Sequence, residues 1–139
     1  MKVLSLQNII KKTKAIKYRK YYVVLDGRAN SVTISKALYN HMMRYERHNT
    51  EILVFRSSDT KLYGFTMRED YPMLMKKDCY YCSLQYNEQY HKIGFRSDHP
   101  SVTAILDEYH LPMDRMVRLS IIVRHTPNGE AFYEIQKNR

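Results

Sequence analysis

The stretch YRKYYVVLDGRANSVTISKALYNHM, residues 18–42, holds the reading on which the fold turns. Tyr18 to Leu25 is dense in Tyr and Val, side chains that fit a pleated, half-buried surface, and it reads as a strand. Asp26-Gly27 marks a turn, and Asn30 to Ile34 (NSVTI) reads as a second, short strand. Ser35 then stands where an N-cap belongs, ahead of Leu38, Met42 and Tyr45 at the i, i+4, i+7 spacing of an amphipathic helix. Upstream, Ser5 caps a short expected helix running to about Lys14, with Leu6, Ile9 and Ile10 on its inner side. Downstream, Glu51 to Phe55 is apolar at successive positions, as in a strand buried on both faces. Ser57 to Thr60 turns the chain, and Leu62 to Met67 returns as the second arm of a hairpin.

Residues 68–78 are polar and read as a connection. Beyond them Tyr80, Cys82, Leu84 and Tyr86 alternate with Tyr81, Ser83, Gln85 and Asn87, the period of one strand. Lys92 to Arg96 reads as another strand, and Val102, Ile105, Leu106 and Tyr109 make a second helical stripe stopped by Leu111-Pro112. Val117, Leu119, Ile121 and Val123 alternate with Arg118, Ser120, Ile122 and Arg124 before the Pro127-Asn128-Gly129 turn, and Ala131, Tyr133 and Ile135 line the return strand. Both halves thus share one order: long strand, short strand, capped helix, hairpin. The expected fold class is α+β, two similar strand-strand-helix-hairpin units packed together with antiparallel sheets and short helices. The expected division is a basic arm over 1–20, a first unit over 21–70 and a neutral second unit over 71–139, together one compact domain.

Charge separates the halves. The chain of 139 residues has a net charge of +9, and residues 1–50 hold 11 Lys and Arg against only Asp26 and Glu46. Residues 51–139 hold 12 cations and 12 acids, so the whole excess lies in the first third. Lys11, Lys12, Lys14, Lys17, Arg19 and Lys20 fall within ten residues, interleaved with Tyr18 and followed by Tyr21 and Tyr22. Clustered cations neutralise phosphates and tyrosines offer faces on which bases or sugars stack, so this pattern points to a polyanion such as nucleic acid. A solvated basic face or a flexible arm gives the same composition without a ligand, and Val3, Leu4, Leu6, Ile9 and Ile10 form only a short apolar set for a membrane surface.

The first half resembles the swapped-hairpin DNA-binding modules of the AbrB/MazE type. The residues that carry the likeness are Leu25-Asp26-Gly27-Arg28, Val32-Thr33-Ile34-Ser35-Lys36-Ala37-Leu38 and Ile52-Leu53-Val54-Phe55. A tandem pair in one chain is similar to the MraZ arrangement. The chain departs from the family pattern in having Ser35 where Pro is usual. The resemblance implies that DNA is gripped by loops and short strands bearing Arg28, Lys36 and neighbouring cations. A helix-turn-helix starting at Thr33 is the rival within DNA binding, but it needs a helix just upstream, where Tyr21 to Leu25 favours a strand.

No phosphate loop, dinucleotide fingerprint, zinc-protease helix or nucleophile elbow occurs in the sequence. Cys79 and Cys82 form a lone C-x-x-C whose strand context turns the two thiols to opposite faces, and His91 and His99 stand too far apart to complete a zinc finger. No cofactor, no metal and no catalytic residue is therefore expected. Two cysteines and no long apolar run fit a cytoplasmic protein without a membrane span. The expected function is non-catalytic binding of nucleic acid, duplex DNA ahead of RNA, with a regulatory role. Its expected contacts are Lys11, Lys12, Lys14, Lys17, Arg19, Lys20, Arg28, Lys36, Arg44 and Arg47. The alternative is an assembly protein that forms a homo-oligomer or docks on an acidic partner, with a metal-dependent nuclease third.

Overall fold

The computed structural model describes residues 14–44, 51–56, 61–70, 80–89, 91–97, 101–125 and 131–137. Its strands are β1 (Lys14–Asp26), β2 (Ser31–Ile34), β3 (Glu51–Arg56), β4 (Tyr63–Met67), β5 (Tyr80–Ser83), β6 (Gln85–Asn87), β7 (Lys92–Arg96), β8 (Met116–His125) and β9 (Ala131–Ile135). Two helices of seven residues, α1 (Lys36–Met42) and α2 (Val102–Glu108), are capped alike by Ser35 and Ser101, each accepting a backbone N–H three residues on. All the strands join one antiparallel sheet in the order β5-β3-β4-β9-β8-β1-β2-β7-β6. The outermost two, β5 and β6, are separated in the chain by Leu84 alone. The ends of the sheet are thereby tied together, β5 comes to lie beside β7, and the sheet rolls into a nearly closed barrel.

This corrects the expected fold class. The protein is mainly antiparallel sheet with two short helices, not a pair of packed α+β units, and neither half keeps a sheet of its own. β1 pairs with β8 as well as β2, β2 pairs with β7, and β4 pairs with β9. The physical reason lies in burial: β4 and β9 are buried along their whole length and β3 over Ile52–Phe55, more than one seven-residue helix per half can cover. The alternation read as one strand from Tyr80 breaks at Leu84, whose buried side chain divides segments that pair at opposite ends of the sheet order. The helix expected from Ser5 lies outside the described residues up to its last position, and Lys14 already belongs to β1.

What does repeat is the pattern of pairing. Exchanging β1, β2, α1, β3 and β4 for β5/β6, β7, α2, β8 and β9 carries β1–β2 onto β6–β7, β1–β8 onto β5–β3, and β3–β4 onto β8–β9. The pairs β2–β7 and β4–β9 map onto themselves. Inside the barrel, Val23 and Leu25 of β1, Val32 of β2 and Val117, Leu119, Ile121 and Val123 of β8 pack with Leu38 and Met42 of α1 and Ile105 and Leu106 of α2. Burying these side chains at roughly 1.5–3 kcal/mol each is what closes the sheet.

Candidate nucleic-acid interface

β1 is longer than the sequence expectation, and its first half is exposed. Residues 15–20 are all exposed, which places Lys17, Arg19 and Lys20 in solvent beside Ile16 and Tyr18. The strand pairs with β8 over Lys14–Lys17 and again over Tyr22–Asp26, with a register shift between. Ser35 anchors that irregularity: its hydroxyl donates to the Lys20 carbonyl at 2.6 Å, accepts from the Tyr22 N–H at 3.3 Å and accepts from the Leu38 N–H at 3.3 Å. One side chain thus caps α1 and fastens the bulge that follows the basic segment.

Past the bulge, β1 enters the sheet and turns alternate side chains outward. Val23 and Leu25 are fully buried, so Tyr22, Val24 and Asp26 occupy the outer positions. Register then fixes two rows across the outer face. One runs Arg118, Val24, Thr33, Gly94, Gln85, and its neighbour runs Met116, Asp26, Ser31, Arg96. The Arg118 guanidinium lies 3.6 Å from the centre of the Tyr22 ring, a cation–π contact that joins β8 to β1 across the outer face. The middle of the rows is low, because Ser31 and Thr33 are small and Gly94 has no side chain. A Cβ on Gly94 would sit 2.2 Å from the Val32 carbonyl oxygen, so the backbones leave no room for one. Over Ser31 and Thr33 lies a trough of about 550 Å³, with Tyr22, Lys36 and Tyr39 on one side and Tyr86, His91 and Lys92 on the other, and Gly94 belongs to the depression beside it. Tyr86 and His91 are joined at 3.0 Å between the phenol oxygen and Nδ1.

The sequence-expected contacts scatter over the molecule. Lys17, Arg19 and Lys20 share the exposed segment, and Lys36 reaches the trough rim. Lys14 is in β1, although its side chain lies outside the described residues, as do Lys11, Lys12 and Arg47 entirely. Arg28 is bound to Asp26 through Nε at 3.1 Å and Nη2 at 3.3 Å, and this pairing holds the Asp26 carboxyl below its ordinary range. Arg44 is drawn away from the face altogether. Its Nη1 donates to the His41 carbonyl at 2.8 Å and to the Tyr133 hydroxyl at 3.2 Å, at the mouth of the β8–β9 hairpin.

That mouth holds a second polar cluster. His41 Nδ1 is 3.0 Å from the Tyr133 hydroxyl, and His41 Nε2 is 3.0 Å from His125 Nε2. Arg44 Nη1, which can only donate, approaches His41 Nδ1 at 3.2 Å, so that nitrogen accepts. His41 Nε2 then carries the proton and donates to His125. Burial first, and the Arg44 charge second, push the His125 pKa below its ordinary value, against a smaller opposing pull from Asp70. Among the described residues no group of three or more His, Cys, Asp or Glu side chains is placed to hold a metal ion. No described helix is long and apolar enough to cross a membrane.

Sequence reasoning missed Arg118, Lys92, Arg96 and Tyr86, all on the half whose charges sum to zero. The alternation of β8 shows that Arg118 points away from the core, but nothing local says that β8 lies beside β1. Comparison with protein-family models, curated proteins and solved structures finds no match for this chain.

Proposed function

We propose that this protein binds nucleic acid non-catalytically, in a cytoplasmic setting, along β1 and the outer face of the sheet beside it. The observation that carries the reading is the exposed run from Ala15 to Lys20, which presents Lys17, Arg19 and Lys20 with Tyr18 and leads directly to the Arg118–Tyr22 pair. Cations spaced along an extended strand suit a phosphate backbone, which sheds condensed counterions when they dock. The resemblance to swapped-hairpin DNA-binding modules agrees with this choice of ligand, and a regulatory role is the form of binding that needs no catalytic group.

The triple variant Lys17→Gln, Arg19→Gln, Lys20→Gln tests it by fluorescence anisotropy on a labelled mixed-sequence oligonucleotide across a salt series. Each phosphate contact contributes roughly 0.7–0.9 to the slope of log affinity against log salt, so the variant is expected to bind more weakly with a slope smaller by about 2. Unchanged affinity and slope would remove the segment from the interface.

One observation favours a second reading, that of an assembly protein. Over Lys14–Lys17, β1 pairs on one side with β8 and, among the described residues, with no strand on the other. Such an edge can accept a strand from a second copy. Sedimentation at rising protein concentration separates the readings: a stable oligomer that ignores nucleic acid favours assembly.

A further inference from the structure

We infer that the trough over β2 takes an unpaired base of a single-stranded segment, while the exposed half of β1 holds the phosphates that follow it. The inference rests on the nucleic-acid reading and adds the form of the ligand. Three features of the trough carry it. Its volume, about 550 Å³, falls within the range of sites that enclose a small planar group with its substituents, roughly 300–1,000 Å³. Its walls are aromatic on both sides: Tyr22 and Tyr39 face Tyr86, whose residue surface is 55% exposed although no core packing requires a tyrosine there. Its rim is cationic where a phosphate would leave it, with Lys36 on the α1 side and Lys92 on the β7 side, and Arg96 and Arg118 on the adjoining sheet surface.

The acids near the trough oppose this field only weakly. Asp26 is paired with Arg28, and Glu88 lies beyond the β6 end in a neighbouring depression. Between the walls, the hydroxyls of Ser31 and Thr33 and the amide of Asn40 supply the donors and acceptors a base edge requires. A base inside a duplex shows no face to such walls, because its neighbours cover both sides; only an unstacked base can enter. Gly94 lies next to the site, in the neighbouring depression, where any side chain would meet the β2 backbone.

The test compares the full chain on one labelled 12-nucleotide sequence as single-stranded DNA, as single-stranded RNA and as duplex DNA, at about 50 mM salt. At least one single strand is expected to bind about tenfold more tightly than the duplex, and the DNA and RNA arms tell which sugar is preferred. Removing one stacking platform costs roughly tenfold or more, so Tyr86→Ala is expected to lower single-strand affinity by that factor and leave duplex affinity unchanged. Tyr86→Phe keeps the ring, loses only the hydroxyl at His91, and is expected to bind like the parent. Equal affinity for single strand and duplex, both lost in the Lys17, Arg19, Lys20 variant, would overturn the base site and leave the nucleic-acid reading standing. Single-strand affinity untouched by Tyr86→Ala would also overturn it. No binding to any of the three would overturn both.

Discussion

The two helix-to-hairpin junctions occupy corresponding places in the repeated connectivity and have been given opposite chemistry. At the end of α2, Glu108 accepts from Arg56 through Nε at 2.9 Å and Nη2 at 2.6 Å, and from the Tyr63 hydroxyl. Tyr109 completes that junction, accepting from the Tyr63 N–H at 2.7 Å and donating to the Ile135 carbonyl at 2.8 Å. At the end of α1 the same corner is filled by His41, His125, Tyr133 and Arg44, joined through imidazole, phenol and guanidinium groups. The first junction is a compensated ion pair with a phenol attached. The second joins two imidazoles to a phenol and a guanidinium, with His125 held toward its neutral form. The lesson is that connectivity fixes where polar groups must be placed to satisfy helix ends and hairpin mouths, while the choice of groups decides whether the junction responds to pH.

The titration behaviour follows from the same contrast. Donation from Tyr63 first, and pairing with Arg56, hold the Glu108 carboxyl below its ordinary 4.5, while burial and the neighbouring carboxylate push the Tyr63 phenol up to about 12. His125 is held below its ordinary 6.5, so its stabilising neutral form is complete above that pH.

The largest effect should come from breaking the compensated junction. Glu108→Ala leaves Arg56 and the Tyr63 hydroxyl without their acceptor and should lower stability by about 2 kcal/mol in denaturant unfolding. The ion pair supplies the lesser part, because Arg56 and Glu108 retain 26% and 36% of their side-chain exposure. A loss under about 0.5 kcal/mol would show the junction to be a surface pair only. At the other junction, Tyr133→Phe removes one fully buried hydroxyl that Arg44 and His41 share, and about 1 kcal/mol should be lost by the same measurement. The smallest effect separates the junctions by pH. Because the folded His125 pKa is depressed, the unfolded chain binds more protons, and stability should fall as pH drops below 6.5 through the folded value. Glu108 begins to contribute its own loss only below 4.5. Between those limits the decline should belong to the imidazole junction, and His125→Gln should flatten it. A decline unchanged in that variant would assign it elsewhere.

Local patterns in the sequence place most elements correctly, because they depend on neighbours along the chain. The Ser35 cap, the stripe Val102, Ile105, Leu106, Tyr109 and the alternation from Val117 to Val123 all match buried positions. Partnership across the sheet was not legible. The same alternation that makes β8 a strand allows it to pair within its own half or with β1, and only the shared core decides. For that reason the expected α+β pair of units gave way to one interleaved barrel. The site was half legible for the same cause. Lys17, Arg19, Lys20 and Lys36 could be read from charge density, whereas Lys92, Arg96 and Arg118 lie in a half that sums to neutrality. A neutral sum hides a charged face when the acids, such as Glu108 and Glu134, are spent on arginines at other corners of the barrel.

The most direct measurement is ultraviolet cross-linking of the full chain to a mixed-sequence single-stranded oligonucleotide, with mass spectrometry of the joined peptides. The account predicts that cross-linked peptides contain Tyr18 or Tyr22 of β1 and Tyr86 of β6, two segments far apart in sequence that meet only on this face. Cross-links confined to α2 and β9, with β1 and β6 untouched, would contradict it.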